Sequence, residues 1–177
     1  MKKLSILFTT LLLSVSAFLY ADDDRHELEN MHASMDATAH KNARHITKKN
    51  QGNKEYIFGK ATSYNKKGEA IGGKILWPYA EYAFASKMTG GQYNITVHYR
   101  TDKDKLPSNA RILVGLDLQE AKELEIKQKL INTVKATFDA HLLKGKNHTI
   151  KLWLPSEGVE IQKIEVRRAL IKKKEKE

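Results

Sequence analysis

Tyr93, Ile95, Val97 and Tyr99 alternate with Gln92, Asn94, Thr96, His98 and Arg100. A period of two places the apolar side chains on one face of an extended strand and the polar ones on the other. A helix would scatter the same residues around its circumference, so this stretch predicts a half-buried β-strand. The pattern recurs. Ala80, Tyr82 and Phe84 form a second set, opposed by Tyr79 and Glu81. Ile112, Val114 and Leu116 form a third, Val134, Ala136 and Phe138 a fourth, and Ile150, Leu152 and Leu154 a fifth. Val159, Ile161, Ile164 and Val166 predict a last strand whose phase changes at Gln162-Lys163. Tyr56-Ile57-Phe58 and Ala61 to Tyr64 predict one or two edge strands. Glu120–Ile131 is read as a strand plus loop, although Ala121, Leu124, Lys127 and Ile131 also fit a helix. About seven to nine short strands separated by turn signals imply an all-β body over 55–166, with two antiparallel sheets face to face.

The N-terminal side differs. Residues 1–21, MKKLSILFTTLLLSVSAFLYA, join a Lys2-Lys3 start to an apolar stretch from Leu4 to Phe18 and small residues at Ala17 and Ala21. That is the layout of a bacterial secretory signal peptide, and its apolar stretch is short for a membrane span. Cleavage is expected after Ala21, where Asp22-Asp23-Asp24 begins a polar stretch, with cleavage after Ala17 as the alternative. A periplasmic or secreted location follows, with no membrane contact expected after cleavage. In residues 22–54 the acids come first and the bases later, and Leu28, Met31, Met35, Ala39, Asn42 and Ile46 recur at spacings of three and four. This predicts an amphipathic helix, capped by Asp23 or Asp24 and stopped at Asn50-Gln51-Gly52-Asn53. Such a helix, over 23–48, offers a surface for a protein partner. His32, Asp36 and His40, beside Met31 and Met35, would line one face of it and suit copper, but chance histidines on a solvated helix explain the spacing better.

The 177 residues are 41% hydrophobic, enough for a packed core, and contain no cysteine. Disulfides, thiolate zinc sites, cysteine nucleophiles and a lipid-modified cysteine are therefore excluded. The net charge of +10 falls to +8 once Lys2 and Lys3 leave with the leader. Half of that +8 sits in the tail 167–177, RRALIKKKEKE, which reads as a mobile basic tail. A charge spread in this way does not make a nucleic-acid surface, so no nucleic acid is expected as a partner. Around the loop Thr101–Asn109, with Asp104 and Ser108, there is no nucleophile elbow or paired acid–base arrangement. There is no glycine-rich phosphate loop, and no enzyme is expected.

The order of signals from Gly72 onward carries a resemblance. Trp77-Pro-Tyr-Ala-Glu-Tyr-Ala-Phe84 is followed by Gly90-Gly-Gln-Tyr-Asn-Ile-Thr-Val-His-Tyr-Arg100 and Ala110-Arg-Ile-Leu-Val-Gly-Leu-Asp117. Phe138, Leu142, Gly145, Asn147, Ile150 and Leu152 come next, and Gly158–Val166 closes the series. In this the chain resembles carbohydrate-binding modules of the galactose-binding-like β-sandwich group, families 6 and 35. The resemblance implies a jelly-roll sandwich that binds a glycan without catalysis. Those modules often hold a structural calcium ion with paired glutamates on their first strand, and Glu55–Tyr64 lacks that pair, so no cofactor is expected. Their last strand often carries a sugar-contacting asparagine, to which Glu160, or Gln162, is nearest.

Sugar recognition needs a flat aromatic face for the C–H side of the ring and polar groups for its hydroxyls. Trp153 is out of phase with Ile150, Leu152 and Leu154, and Trp77 and Tyr79 are out of phase with Ala80, Tyr82 and Phe84. These three rings are therefore expected on an outer face or loop rim, with Arg100, Lys151 and Glu160 as polar neighbours. The functional expectation is an exported carbohydrate-binding protein, its basic residues favouring acidic glycans. The alternative is an envelope structural or interaction protein that docks a partner through the 23–48 helix.

Overall fold

The computed structural model describes residues 31–86, 91–127, 132–139 and 145–168. The expected leader, the start of the expected N-terminal helix and the tail beyond Arg168 lie outside these residues.

Eleven strands are present among the described residues: β1 Met31–Asp36, β2 Asn42–Arg44, β3 Ile46–Gln51, β4 Lys54–Gly59, β5 Tyr79–Ala85, β6 Gln92–Thr101, β7 Arg111–Leu116, β8 Lys122–Glu125, β9 Asn132–Asp139, β10 Asn147–Trp153 and β11 Val159–Arg168. The only helical elements described are a 3-10 turn at Ala37–Ala39 and α1, a single turn at Gly73–Leu76. A six-stranded sheet runs β3-β4-β11-β6-β9, with β1 also on β11, and a five-stranded sheet runs β2-β5-β10-β7-β8. Neighbours pair antiparallel, so the expected two-sheet sandwich is the observed architecture.

The inward rows are those that the alternation marks. Tyr82 on β5, Ile112 and Leu116 on β7, and Ile150 and Leu152 on β10 meet Tyr93 and Ile95 on β6, Phe138 on β9 and Ile161 and Ile164 on β11, all fully buried. Interleaving two such rows removes apolar surface from water at about 25 cal/mol per Å², the main force holding the sheets together. Buried tyrosines need partners for their hydroxyls. Tyr82 donates to the Ala37 carbonyl (2.8 Å), and Tyr99 accepts from the Asn132 amide (2.9 Å). The change of phase near Gln162-Lys163 is a bulge: β11 pairs Ile161 with Tyr99 but Lys163 with His98, so both Ile161 and Ile164 face the core.

Two expectations are corrected here. No helix forms over residues 31–54. That stretch makes β1, the 3-10 turn, β2 and β3, and belongs to the sandwich rather than to a separate 22–54 segment. Its sheet changes at His45, whose φ of 54° is incompatible with a continuous helix: β2 pairs β5 in one sheet, and β3 pairs β4 in the other. The spacing of four between Met31 and Met35 also fits a strand, where i and i+4 share a face. The helical face that would align His32, Asp36 and His40 is therefore absent, and over the described residues 31–48 the helix meant to dock a partner is replaced by strands. Second, β4 is internal, flanked by β3 and β11, and Ala61–Tyr64 forms no strand beyond a bridge from Tyr64 to Ala70. The body also runs past 166, because Arg167 and Arg168 complete β11.

Glu165 lies on the outer face of the six-stranded sheet, ringed by Lys163, Arg167 (3.1 Å) and His98 (3.4 Å). Burial opposes its ionisation, but hydrogen bonds from Lys163 and Arg167 outweigh that and hold its carboxyl at about 2, against 4.5 for a free glutamate. A carboxyl depressed in the folded state stabilises fully above its unfolded value and loses that contribution as pH falls toward the folded one. Urea midpoints are therefore expected to fall as pH drops below about 4.5, and Glu165→Gln should lower stability at neutral pH while flattening that acid decline. An unchanged acid slope in Glu165→Gln would show that other groups set it.

Candidate functional site

On β10, Ile150 and Leu152 face the core, so Lys151 and Trp153 face outward from the five-stranded sheet. The register places Trp153 opposite Tyr79 on β5 and Leu113 on β7, and Lys151 opposite Glu81 and Gly115. Arg44 on β2 lies opposite Tyr79. The Trp153 ring rests over Gly115, where a Cβ would lie 3.2 Å from it, so a bare backbone position is what lets the indole lie against the sheet. Lys74 of α1 sits 5.7 Å from the Trp153 ring centroid and Arg44 sits 5.0 Å from that of Tyr79. Trp77, just before β5, donates its indole N–H to the Ala70 carbonyl (2.7 Å) and lies beneath Arg111, which Glu69 (3.0 Å) and Glu123 (2.8 Å) hold in place. Lys151 pairs with Glu81 at 3.0 Å. A hydrogen bond from the Asn42 amide, followed by that of Lys151, holds the Glu81 carboxyl below its ordinary range despite partial burial.

Trp77, Tyr79, Lys151 and Trp153 thus belong to one side of the protein. Each ring is half-buried, and each lies under a cation from a neighbouring element.

Arg100 and Glu160 are elsewhere. They face each other across β6 and β11 on the outside of the six-stranded sheet, so they are not polar neighbours of the three rings. Glu160 is 7% exposed and carries two cations: Arg100 binds one carboxylate oxygen, and Lys49 the other at 2.7 Å. The Arg100 guanidinium lies 3.8 Å from the Tyr56 ring centroid. The reason is topological: β10 and β11 are consecutive in sequence but enter different sheets, so outward positions on them point in opposite directions.

Two adjoining hollows open where the 60–70 loop meets the 102–109 loop. The smaller, about 320 Å³, is lined by Thr47, Lys49, Phe58, Lys60, Tyr64 and Asp102 among others, and it reaches Glu160. The larger and shallower, about 740 Å³, adds Lys66, Lys67, Ser108 and Asn109. Tyr64, Lys105 and Glu157 line both. The Tyr64 ring is fixed in place: its hydroxyl donates to the Gly59 carbonyl and accepts from the Ala61 amide, each at 3.0 Å, and burial raises its pKa. Gly158 shapes the smaller hollow. Its φ is 74°, and a Cβ there would lie 2.8 Å from the Leu106 amide nitrogen, so only glycine lets the β10–β11 turn sit against the 102–106 loop. Five lysines line the two hollows, against Asp102, Glu157 and the already paired Glu160. Of all these, sequence phase points only to Glu160. Tyr64, Lys60 and Lys105 lie in loops that have no period, and the one available signal is lysine density at Lys60, Lys66 and Lys67. Among the described residues no group of three or more histidines and acids could hold a metal ion.

No known family pattern matches the chain, and no curated protein matches it by sequence. Solved structures do match it in fold. The C-terminal CBM6 of the marine laminarinase LamC from Zobellia galactanivorans is 14% identical with a TM-score of 0.56, over 77% of this chain and 98% of that one. The carbohydrate-binding module CBM6cm-2 of Cellvibrio mixtus lichenase 5A, solved with cellotriose, is 10% identical with a TM-score of 0.54, over 79% and 99%. The GH26-CBM35 mannanase of Podospora anserina is 14% identical with a TM-score of 0.56, over 82% of this chain and 29% of the enzyme. The fold is that of CBM6 and CBM35 carbohydrate-binding modules, in line with the resemblance in the sequence. Identities this low carry the fold and not the site.

Removing the Arg100 cation would leave buried Glu160 with Lys49 alone and uncover Tyr56. Arg100→Met is expected to cost about 2 kcal/mol in urea denaturation, and Lys49→Met less because Lys49 is half-exposed. Equal, negligible losses would mean that the Glu160 cluster does not hold β6 to β11.

Proposed function

We propose that this chain is an exported, non-catalytic glycan-binding module, acting in the periplasm or outside the cell, and that it takes an acidic glycan in the paired hollows beside Tyr64. The observation that carries this reading is the joining of the two hollows through Tyr64 and Lys105, an aromatic ring and an amine on a lysine-rich wall. A sugar ring presents C–H groups to one face and hydroxyls to its edge. The fixed Tyr64 ring meets the first requirement, and Asn65, Asp102, Ser108 and Asn109 supply donors and acceptors for the second. Lys60 and Lys105 have no carboxylate partner among the described residues, so each can answer an anionic group on the glycan. The CBM6 and CBM35 fold of the neighbours supports glycan binding in general; acidity is argued from the lysines alone.

A second reading places the sugar on the outer face of the five-stranded sheet, on the cross-strand pair Trp153 and Tyr79. Variants separate the two. A panel of neutral and acidic glycans titrated against the protein should show binding to acidic oligosaccharides, weakened about tenfold by Lys60→Ala with Lys105→Ala and unchanged by Trp153→Ala. Loss through Trp153→Ala alone would move the site to the aromatic face, and a panel without any bound glycan would end both readings.

A further inference from the structure

The sequence Ile71-Gly-Gly-Lys-Ile-Leu-Trp77 forms a knuckle on the rim beside the aromatic face. Ile71 is 54% exposed, Ile75 79% and Leu76 54%. Single exposed apolar residues are ordinary on soluble proteins, but three within six residues are a patch. This knuckle is built rather than loose. Gly72 has a φ of 99°, and a Cβ there would lie 2.4 Å from Leu76 Cδ1, so the Leu76 side chain closes over a position only glycine can occupy. The Ile71 amide donates to the Ser63 carbonyl (3.1 Å), and the Trp77 amide to that of Gly73 (3.0 Å). The Arg44 guanidinium donates to the Lys74 and Trp77 carbonyls at 3.4 and 3.3 Å, and the Trp77 indole binds Ala70. These bonds tie the knuckle's backbone to the protein, while Ile71, Ile75 and Leu76 stay exposed.

The segment that carries the knuckle is mainly basic. Residues 60–78 contain Lys60, Lys66, Lys67 and Lys74 against a single acid, Glu69, and Arg111 binds that acid at 3.0 Å. Lys74 stands between the aliphatic tips in sequence. We infer that the knuckle is a docking surface for an anionic lipid bilayer: Ile75, Leu76 and Ile71 enter the boundary between headgroups and acyl chains, and Lys74 meets the phosphates. The patch is aliphatic and carries lysine at its centre, features that suit an interface of lipid headgroups better than a protein hot spot. A lysine amine on its flexible stem reaches the headgroups while its methylenes stay with the apolar tips. One such loop gives weak, reversible attachment that depends on anionic lipid. The inference shares Lys60, Lys66 and Lys67 with the glycan reading, but its anchoring residues Ile71, Lys74, Ile75 and Leu76 line neither hollow.

The test is sedimentation with vesicles of phosphatidylcholine, with and without phosphatidylglycerol, free of any glycan. The protein would begin at Asp22, the expected mature start, which retains every described strand. Binding to the anionic vesicles is expected, falling as salt is raised. Ile75→Asp should weaken it about tenfold, Ile75→Trp should tighten it, and Leu118→Asp, at an exposed leucine in the turn after β7, should leave it unchanged. Absence of binding by the parent protein, or equal binding by Ile75→Asp, overturns the proposal. So does a dimer in sedimentation velocity that Ile75→Asp converts to monomer, which would assign the patch to a second copy of the chain.

Discussion

The antiparallel pairing of β6 with β11 is the constraint from which the rest of this protein follows. It is the longest ladder described, nine partnered positions from Val159–Thr101 to Arg168–Tyr93, and it places Ile95 and Val97 beside Ile164 and Val166 on the inner face of the six-stranded sheet. That inner face is the surface against which Tyr82, Ile150 and Leu152 of the other sheet are buried. On its outer face the same ladder sets Arg100 against Glu160 and His98 beside Glu165, so the charge clusters come from register. At its start, the turn that delivers Val159 carries Gly158 against the 102–106 loop and so forms one wall of the smaller hollow.

How much of this is legible in the sequence depends on how each strand is buried. β5, β6, β9 and β10 are packed on the inner face and exposed or only partly covered on the other, so selection for burial writes a period of two into them; β7 and β11 are buried on both faces, and there the period is kept by the polar or small residues Gly115, Glu160 and Glu165 that turn outward. β3 is an outermost strand of its sheet; its Ile46 and Thr47 are half-buried and the next four residues exposed, so it carries almost no period. With little alternation to read, the charge asymmetry of residues 22–54 and the spacing of Met31 and Met35 imitate an amphipathic helix. A spacing of four is common to both geometries, and His45 in the left-handed region decides between them in favour of strands.

The site residues divide in the same way. Phase turns Tyr79, Lys151 and Trp153 outward, because phase is a property of a single strand; Trp77 lies before β5, where strand phase does not reach. Phase does not say which sheet a strand joins, so Arg100 and Glu160 lie on the opposite outer surface from the rings. The hollows beside Tyr64 are less legible still. They are formed by loops distant in sequence, 60–70, 102–109 and 157–158, brought together by the bridges Tyr64–Ala70 and Glu69–Ser156 and by the Ala70 amide on the Pro155 carbonyl (2.7 Å). No period marks such a site. Only glycine at 158 and the lysine density hint at it.

The central claim is that a sugar sits against Tyr64 between Lys60 and Lys105. Amide chemical-shift mapping during titration with an acidic oligosaccharide tests it most directly, because it reads position and not only affinity. The account predicts that the largest shifts gather at Lys60, Tyr64, Lys105 and Gly158 and leave Tyr79, Lys151 and Trp153 in place. Shifts centred on Trp153 and Tyr79, or none at saturating sugar, would contradict it.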